Sequence, residues 1–254
     1  MLSWRTKKQI TYSIVFAVLI GLFLWLAISW LTPAPTCFDS KQNQKEESVD
    51  CGGPCDKKCT GIVKNFNILW TRAIEAFPGS YDAAALVENP NFFVGARKIS
   101  YKFKLYDERS VTVAIREGET FVNPGERFVI FEPAIPTGER RAARAVLEWS
   151  DFATVDWLKI EKEKPSLLIT RKNFVNEPTP YLEARARNDS AFNLSNVYIS
   201  AVLYDTDGNA AAVSQTIFDS LAALSERQAF FTWQTPFALP PVGIEIFLRV
   251  NQTE

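Results

Sequence analysis

The sequence predicts a mainly β protein in which one N-terminal transmembrane α-helix is followed by two tandem immunoglobulin-like β-sandwiches. Three observations predict it: an unbroken apolar run near the N-terminus, four cysteines clustered after it, and a repeat of about a hundred residues in the remainder. The predicted organisation is a cytoplasmic tail at residues 1–9, a transmembrane helix at 10–31, a cysteine-rich stalk at 32–60, and β-sandwiches at 61–160 and 161–254.

The apolar run from Ile10 to Leu31 is long enough to cross a bilayer. At about 1.5 Å per residue, a helix over it matches the ~30 Å hydrocarbon core. Lys and Arg are retained on the cytoplasmic side, so Arg5, Lys7 and Lys8 predict an N-terminus inside and later residues outside. A cleaved signal peptide is the competing interpretation, but the run exceeds an h-region of roughly 7 to 15 residues and no Ala-x-Ala site follows.

Composition narrows the classes of function. The 254 residues carry a net charge of −1 with dispersed Lys and Arg, which disfavours a nucleic-acid partner because phosphates call for a clustered basic surface. The sequence has no histidine, which excludes Ser-His-Asp and Cys-His catalysis, His-ligated zinc and His-ligated haem. With no Gly-x-Ser-x-Gly or Ser-x-x-Lys motif either, we expect a protein that is not an enzyme and has no organic cofactor.

All four cysteines, Cys37, Cys51, Cys55 and Cys59, lie in one short segment after the apolar run. An even, clustered set in an oxidising compartment predicts two disulfides, with three connectivities that spacing alone leaves open. A zinc knuckle is the alternative, although the spacing is not a repeated Cys-x-x-Cys pair. A lipoprotein attachment at Cys37 fits the preceding Ala34-Pro35-Thr36 poorly.

The stalk combines cysteines, acidic residues and a Gly-Gly pair in a fixed order: Cys37, Asp39, Asn43, Glu46, Val49, Asp50, Cys51, Gly52, Gly53 and Cys55. This pattern resembles a short cysteine-rich motif of bacterial surface and secreted proteins. Oxygen atoms of Asp39, Asn43, Glu46 and Asp50 could together hold Ca²⁺, which takes six to eight oxygen ligands, although the spacing is not that of an EF-hand. The alternative is that these are solvated side chains of a small disulfide knot.

The repeat aligns the two halves of the remaining chain at three landmarks. Asn89-Pro90-Asn91 matches Asn188-Asp189-Ser190, and the segment Ile99–Asp107 matches Val197–Asp205. The third landmark pairs Gly125-Glu126-Arg127 with Ser225-Glu226-Arg227. Because Asn side chains bond their own backbone in turns, we expect Asn89 and Asn188 to cap backbone groups rather than contact a ligand.

Period-two alternation predicts half-buried strands in both copies. Ile99, Tyr101, Phe103 and Leu105 share one face in the first copy, and Val197, Ile199, Ala201 and Leu203 share one in the second. Short strands separated by turn signals, such as Asp207-Gly208, are typical of an immunoglobulin-like sandwich. The segment Trp70–Phe77 is compatible with a short helix or a strand.

The second copy carries a set of short motifs: Asn188, Leu203-Tyr204-Asp205, Asp207-Gly208, Ser220-Leu221 and Ser225-Glu226. With these motifs it resembles the FxLYD type of bacterial extracytoplasmic β-sandwich. The first copy, with Asn89-Pro90-Asn91 and Leu105-Tyr106-Asp107, is similar to the same group and to LEA-14 (WHy) sandwiches, but has Glu108-Arg109 where the pattern has Asp-Gly. The resemblance implies sandwich architecture, a non-catalytic role and a place in the bacterial cell envelope.

These observations lead to one expected function and one alternative. We expect an integral single-pass protein of the bacterial cytoplasmic membrane that presents two sandwiches outside as a protein-binding or scaffold module for other envelope proteins. The alternative is a sandwich that binds an apolar ligand or lipid, which requires a deep empty cavity between the sheets of either copy. A hydrolase without histidine would require a Ser or Asp cluster in a cleft.

Overall fold

Residues 4–31, 36–57, 59, 63–160 and 163–253 are described by a computed structural model. The chain divides into two compact units, Met1–Pro54 and Cys55–Glu254. The predicted start of the stalk at 32–35 and the predicted domain boundaries at 61 and 161 lie outside the described residues.

The first unit begins with helix α1 (Trp4–Leu31), which confirms the predicted N-terminal apolar helix. Its segment Lys8–Ile28 is long and apolar enough to cross a membrane. The helix begins before the predicted Ile10 because the intervening Lys and Gln residues favour helix, and the Lys8 ammonium stacks 4.0 Å from the centre of the Trp4 ring one turn away. Its exposed side chains, Phe16 and Phe23 among them, form an apolar surface typical of a lipid-facing helix.

The first sandwich packs two antiparallel sheets around one core. One sheet has the order β1-β2-β5, from β1 (Asn67–Phe77), β2 (Ser80–Glu88) and β5 (Arg127–Pro136). The other has the order β4-β3-β6, with β7 also paired to β3, from β3 (Val94–Tyr106), β4 (Thr112–Val122), β6 (Arg144–Trp149) and β7 (Trp157–Lys159). The ambiguous segment Trp70–Phe77 is a strand, because its backbone pairs along the buried β2.

The second sandwich repeats this plan. One sheet has the order β12-β9-β8, from β8 (Leu167–Val175), β9 (Tyr181–Asn188) and β12 (Glu226–Thr232). The other has the order β11-β10-β13, from β10 (Leu194–Tyr204), β11 (Ala210–Leu221) and β13 (Gly243–Arg249). Its core lies between the two sheets and contains the fully buried side chains of Leu182, Ile199 and Phe231.

The structure corrects two details of the predicted repeat. Arg127 lies opposite Glu88, and Glu226 lies opposite Arg187, so Glu126 corresponds to Ser225 and the third landmark is shifted by one residue. Strand β10 was predicted to have one exposed face, and this prediction is wrong. Val202, on the face opposite the core, is fully buried because the first sandwich covers that face.

Candidate functional site

All four cysteines, Cys37, Cys51, Cys55 and Cys59, are disulfide-bonded, which confirms the predicted disulfides. A sulfur held in a disulfide is not a thiolate and is therefore not available as a zinc ligand. The zinc alternative is thus wrong for this structure. Disulfides of this kind are typical of an oxidising compartment.

Two of the predicted calcium ligands use their carboxylates to cap backbone groups. The Asp50 carboxylate accepts hydrogen bonds from the backbone N–H of Asp39 at 3.0 Å and of Ser40 at 2.9 Å. The Asp39 carboxylate accepts from the Lys41 backbone at 3.0 Å and from Asn43 Nδ2 at 2.8 Å. The hydrogen bond from Asn43 is the main reason why the pKa of Asp39 is lowered.

The other two predicted ligands, Asn43 and Glu46, lie beside this pair. The Asn43 N–H donates to the Glu46 carboxylate at 3.0 Å, and Glu46 is buried. Asn43 Oδ1 is buried and accepts no hydrogen bond from the residues that the structure describes. The segment therefore brings the four side chains together, but backbone N–H groups already occupy several of their oxygens. Calcium binding stays a prediction, which calorimetric titration of the full chain with Ca²⁺ would check.

The Gly-Gly pair after Cys51 is required by the backbone of this segment. Gly52 and Gly53 both have positive φ, +74° and +57°. A Cβ atom at Gly53 would collide with the backbone carbonyl of Lys45. Only glycine combines this conformation with so close an approach, so the pair has a structural explanation that needs no ligand.

Asn89 is a buried hydrogen-bonding centre at one end of the first sandwich. Its Nδ2 donates to the carbonyls of Val94 at 2.9 Å and Asn123 at 2.8 Å, while its Oδ1 accepts from the Asn91 N–H at 3.0 Å. Its own N–H donates to the Glu126 carbonyl at 2.9 Å. Asn89 thus joins the loop between β2 and β3 to the loop between β4 and β5 at this end of the sandwich.

Asn188 does the same in the second sandwich. Its Nδ2 donates to the carbonyls of Phe192 at 2.8 Å and Ala222 at 3.1 Å, and its Oδ1 accepts from the Ser190 N–H at 2.9 Å. Both asparagines are buried, so the predicted backbone-capping role is confirmed for each.

An apolar interface joins the two sandwiches within the second unit. Residues of β2 and β5 pack against residues of β10, β11 and β13. The buried members are Ala84, Leu86, Val129, Val202, Ala210, Val213 and Phe247. The sandwiches, each with its own core, are therefore joined by a third apolar cluster rather than separated by an open linker.

A buried ion pair lies beside this apolar interface. Arg249 of β13 and Glu126, which precedes β5, are 4% and 5% exposed, and Nη2 of Arg249 lies 3.2 Å from a Glu126 carboxylate oxygen. The same Nη2 donates to the Phe121 carbonyl at 2.7 Å. The guanidinium lies 4.2 Å from the ring centre of Phe121 and 4.1 Å from that of Phe128. The charge is thus held by a carboxylate, a carbonyl and two aromatic faces.

Polar contacts surround the interface. Arg127 pairs with Glu245 at 2.6 Å, and the Tyr204 hydroxyl donates to the same Glu245 carboxylate at 3.0 Å. Burial, and next the hydrogen bond to Glu245, raise the pKa of Tyr204 to about 12. Asn123 Nδ2 donates to the Val250 carbonyl at 2.9 Å, which fixes the end of β13 on the first sandwich.

Sequence reasoning missed Glu126 and Arg249. The sequence analysis places Glu126 only in the third landmark of the repeat and assigns no role to Arg249. A usable signal was Phe247, since an aromatic side chain on the outward face of β13 indicates that this face is covered.

Comparisons with known proteins give no family for this chain. A scan of protein-family models finds no match, and a search of curated proteins also finds none. Among solved structures, the chain is similar to a crystal structure of red sea bream transglutaminase, with 9% identity, a TM-score of 0.22, and coverage of 73% of this chain and 29% of that chain. A TM-score this low supports no conclusion about fold or activity, and the chain spans less than a third of that structure.

Proposed function

We propose that this chain is a single-pass protein of the bacterial cytoplasmic membrane, with its N-terminus in the cytoplasm and both sandwiches outside. There it acts as a non-catalytic protein-binding or scaffold module for other envelope proteins. Arg5 and Lys8 at the start of α1 favour this orientation, and the disulfides favour an oxidising exterior. The bacterial assignment is supported by the resemblances of the stalk motif and of the two sandwiches.

The observation that supports the scaffold role is the buried interface between the two sandwiches. An apolar interface reinforced by the Arg249–Glu126 pair holds two sandwiches as one unit with fixed outer surfaces. Fixed surfaces suit a module that positions partners, because little conformational entropy is lost on binding.

The alternative, an apolar-ligand or lipid-binding sandwich, has less support. It requires a deep empty cavity between sheets, whereas the cores are occupied by large side chains such as Trp157 and Phe103 in the first sandwich and Phe231 in the second. A groove of about 610 Å³ along Ser100, Lys102 and Glu117 is open to solvent and carries charged side chains, which suits a lipid chain poorly.

Crosslinking in intact bacterial membranes, followed by mass spectrometry, tests the proposal. We expect envelope proteins to be captured through residues of the sandwiches, and external protease to digest the sandwiches in sealed cells. Reduced cysteines, or sandwiches protected from external protease, would contradict the orientation. Crosslinks confined to lipid would instead favour the lipid-binding alternative.

A further inference from the structure

The two sandwiches differ at one equivalent side edge. In the first, Thr71 Oγ1 of β1 donates a hydrogen bond to the Ala145 carbonyl of β6 at 2.7 Å. In the second, Lys172 Nζ of β8 donates to the Ile244 carbonyl of β13 at 2.8 Å.

The register shows that these contacts are equivalent. Thr71 lies opposite Ala85, and Lys172 lies opposite Ala184, just after the same bulge in each first strand. Ala145 and Ile244 lie opposite Leu105 and Leu203, the matching leucines of the repeat.

The side edge of the second sandwich is open where that of the first is closed. β8 and β13 approach each other at fewer positions than β1 and β6 do, and the long Lys172 side chain spans the gap that Thr71 spans with a short hydroxyl. A groove of about 400 Å³ lies between β8 and β13, with Ile169, Arg171 and Ile246 among its lining residues. The sheet edge of β13 faces this groove.

Core-facing side chains are left partly uncovered by this opening. Ile244 and Ile246 pack against the core of the second sandwich but stay only partly buried. Their equivalents in the first sandwich, Ala145 and Leu147, are each 4% exposed. The groove therefore has an apolar floor that a further strand would cover.

The backbone of β13 can accept such a strand. β13 pairs with β10 on its other side, and the Ile244 carbonyl points into the groove, where Lys172 bonds it. Because N–H and C=O groups of every second residue point to the same side of a strand, the backbone of Ile246 faces the groove as well. Such an edge is a template for strand addition.

The charge of the rim indicates the chemistry of the partner. Arg171 and Lys172 are both exposed, and Arg171 forms no ion pair with any residue that the structure describes. The carboxylate in the groove, Glu245, is already paired with Arg127 and bonded by Tyr204. The uncompensated charge is therefore positive and favours an acidic partner.

We propose that the groove between β8 and β13 binds an extended, acidic segment of a partner protein, which adds a strand to the edge of β13. Alternate apolar side chains of that segment cover Ile169, Ile244 and Ile246, and a carboxylate lies beside Arg171 and Lys172. This inference rests on the proposed protein-binding function and names the surface that performs it.

Selection of short random peptides displayed on phage, against the full-length protein in lipid nanodiscs, tests this site. We expect enriched peptides in which apolar residues alternate and at least one Asp or Glu is present. Their binding should slow backbone amide exchange in β13 at residues 244–248. Arg171→Glu and Lys172→Glu should each weaken binding by about tenfold or more, whereas Arg109→Glu, at an exposed hairpin of the first sandwich, should leave it unchanged.

Three results would overturn the inference: no enrichment, enriched peptides that protect other residues, or binding that Arg171→Glu and Arg109→Glu affect equally. Protection of 244–248 that grows with protein concentration in the absence of peptide would also overturn it, since a second copy would then fill the edge. The proposed scaffold function is tested separately by membrane crosslinking, and it survives these results if partners are captured on another surface.

Discussion

At the residue scale, Asn188 carries much of the connectivity of one end of the second sandwich. Asn188→Ala should lower the free energy of unfolding by about 2–4 kcal/mol, because it leaves the carbonyls of Phe192 and Ala222 without their donor in a buried site. Urea unfolding of the full chain, followed by tryptophan fluorescence, measures this change.

The exposed Asn193 offers a matched control for that prediction. Its Oδ1 accepts one hydrogen bond, from the Ala223 N–H at 2.9 Å. Asn193→Ala should cost less than about 1 kcal/mol, because water can replace that bond. Equal effects of the two substitutions would show that Asn188 is not the centre of its network.

Tyr204 makes the interface between the sandwiches sensitive to alkaline pH. The pKa of Tyr204 is raised to about 12, so its hydrogen bond to Glu245 contributes fully below the ordinary tyrosine pKa of 10.0 and is lost as pH rises through about 12. Tyr204→Phe should therefore cost about 1 kcal/mol at pH 8 and nearly nothing at pH 12.

Thermal unfolding at both pH values checks this prediction. Tyr198→Phe is the control, since the Tyr198 hydroxyl makes no hydrogen bond within the described part of the chain. A stability difference between Tyr204→Phe and wild type that does not change with pH would contradict the role of the hydroxyl.

At the element scale, the two β-hairpins of the repeat use one turn built from different residues. Asp205 Oδ1 accepts from the backbone N–H of Asp207 and Asn209, and Gly208 has φ +77°. In the first copy, Asp107 accepts from the second and fourth residues after it in the same way, and Ser110 takes the left-handed position with φ +61°. The hairpin is therefore intact without Asp-Gly, and the residues that stand at the positions of Asp207-Gly208 are Arg109-Ser110 rather than the predicted Glu108-Arg109.

Ser110→Gly should stabilise the first sandwich by about 0.5–1 kcal/mol, because glycine adopts positive φ without the cost of a Cβ atom. Gly208→Ala should destabilise the second sandwich by about 1–2 kcal/mol for the converse reason. Differential scanning calorimetry measures both changes. Changes of the same sign in the two variants would contradict the assignment of equivalent left-handed positions.

Local patterns in the sequence predicted individual strands and turns well, but they predicted poorly which surfaces pack against each other. The alternation in Ile99–Asp107 identified β3, and Asn89 and Asn188 were assigned to backbone capping, because both features depend on neighbouring residues. The burial of Val202 was missed, since a repeat compares two copies and carries no information on how one packs against the other. The one-residue shift at Glu126 was missed because similar letters, rather than strand register, set that landmark.

At the scale of the whole molecule, the interface between the sandwiches determines whether they behave as one rigid unit. Arg249 of the second sandwich and Glu126 of the first are close only because the chain folds back on itself across 123 positions. Their charges are removed from water, so each needs the other. The same face of β13 that carries Arg249 is thereby committed to the first sandwich, which leaves only the edge of β13 for a partner.

Arg249→Met should destabilise the interface between the sandwiches by about 3–5 kcal/mol, because it leaves the Glu126 carboxylate buried without its partner. We expect calorimetry of the full chain to resolve two unfolding transitions in this variant, and one in the wild type, because the sandwiches no longer unfold together. Adding Glu126→Gln to Arg249→Met should recover much of the loss. The control Arg127→Met removes the exposed pair with Glu245 and should cost at most about 1 kcal/mol with a single transition. Two transitions in the wild type would mean that the sandwiches are independent, and the rigid scaffold would then have no physical basis.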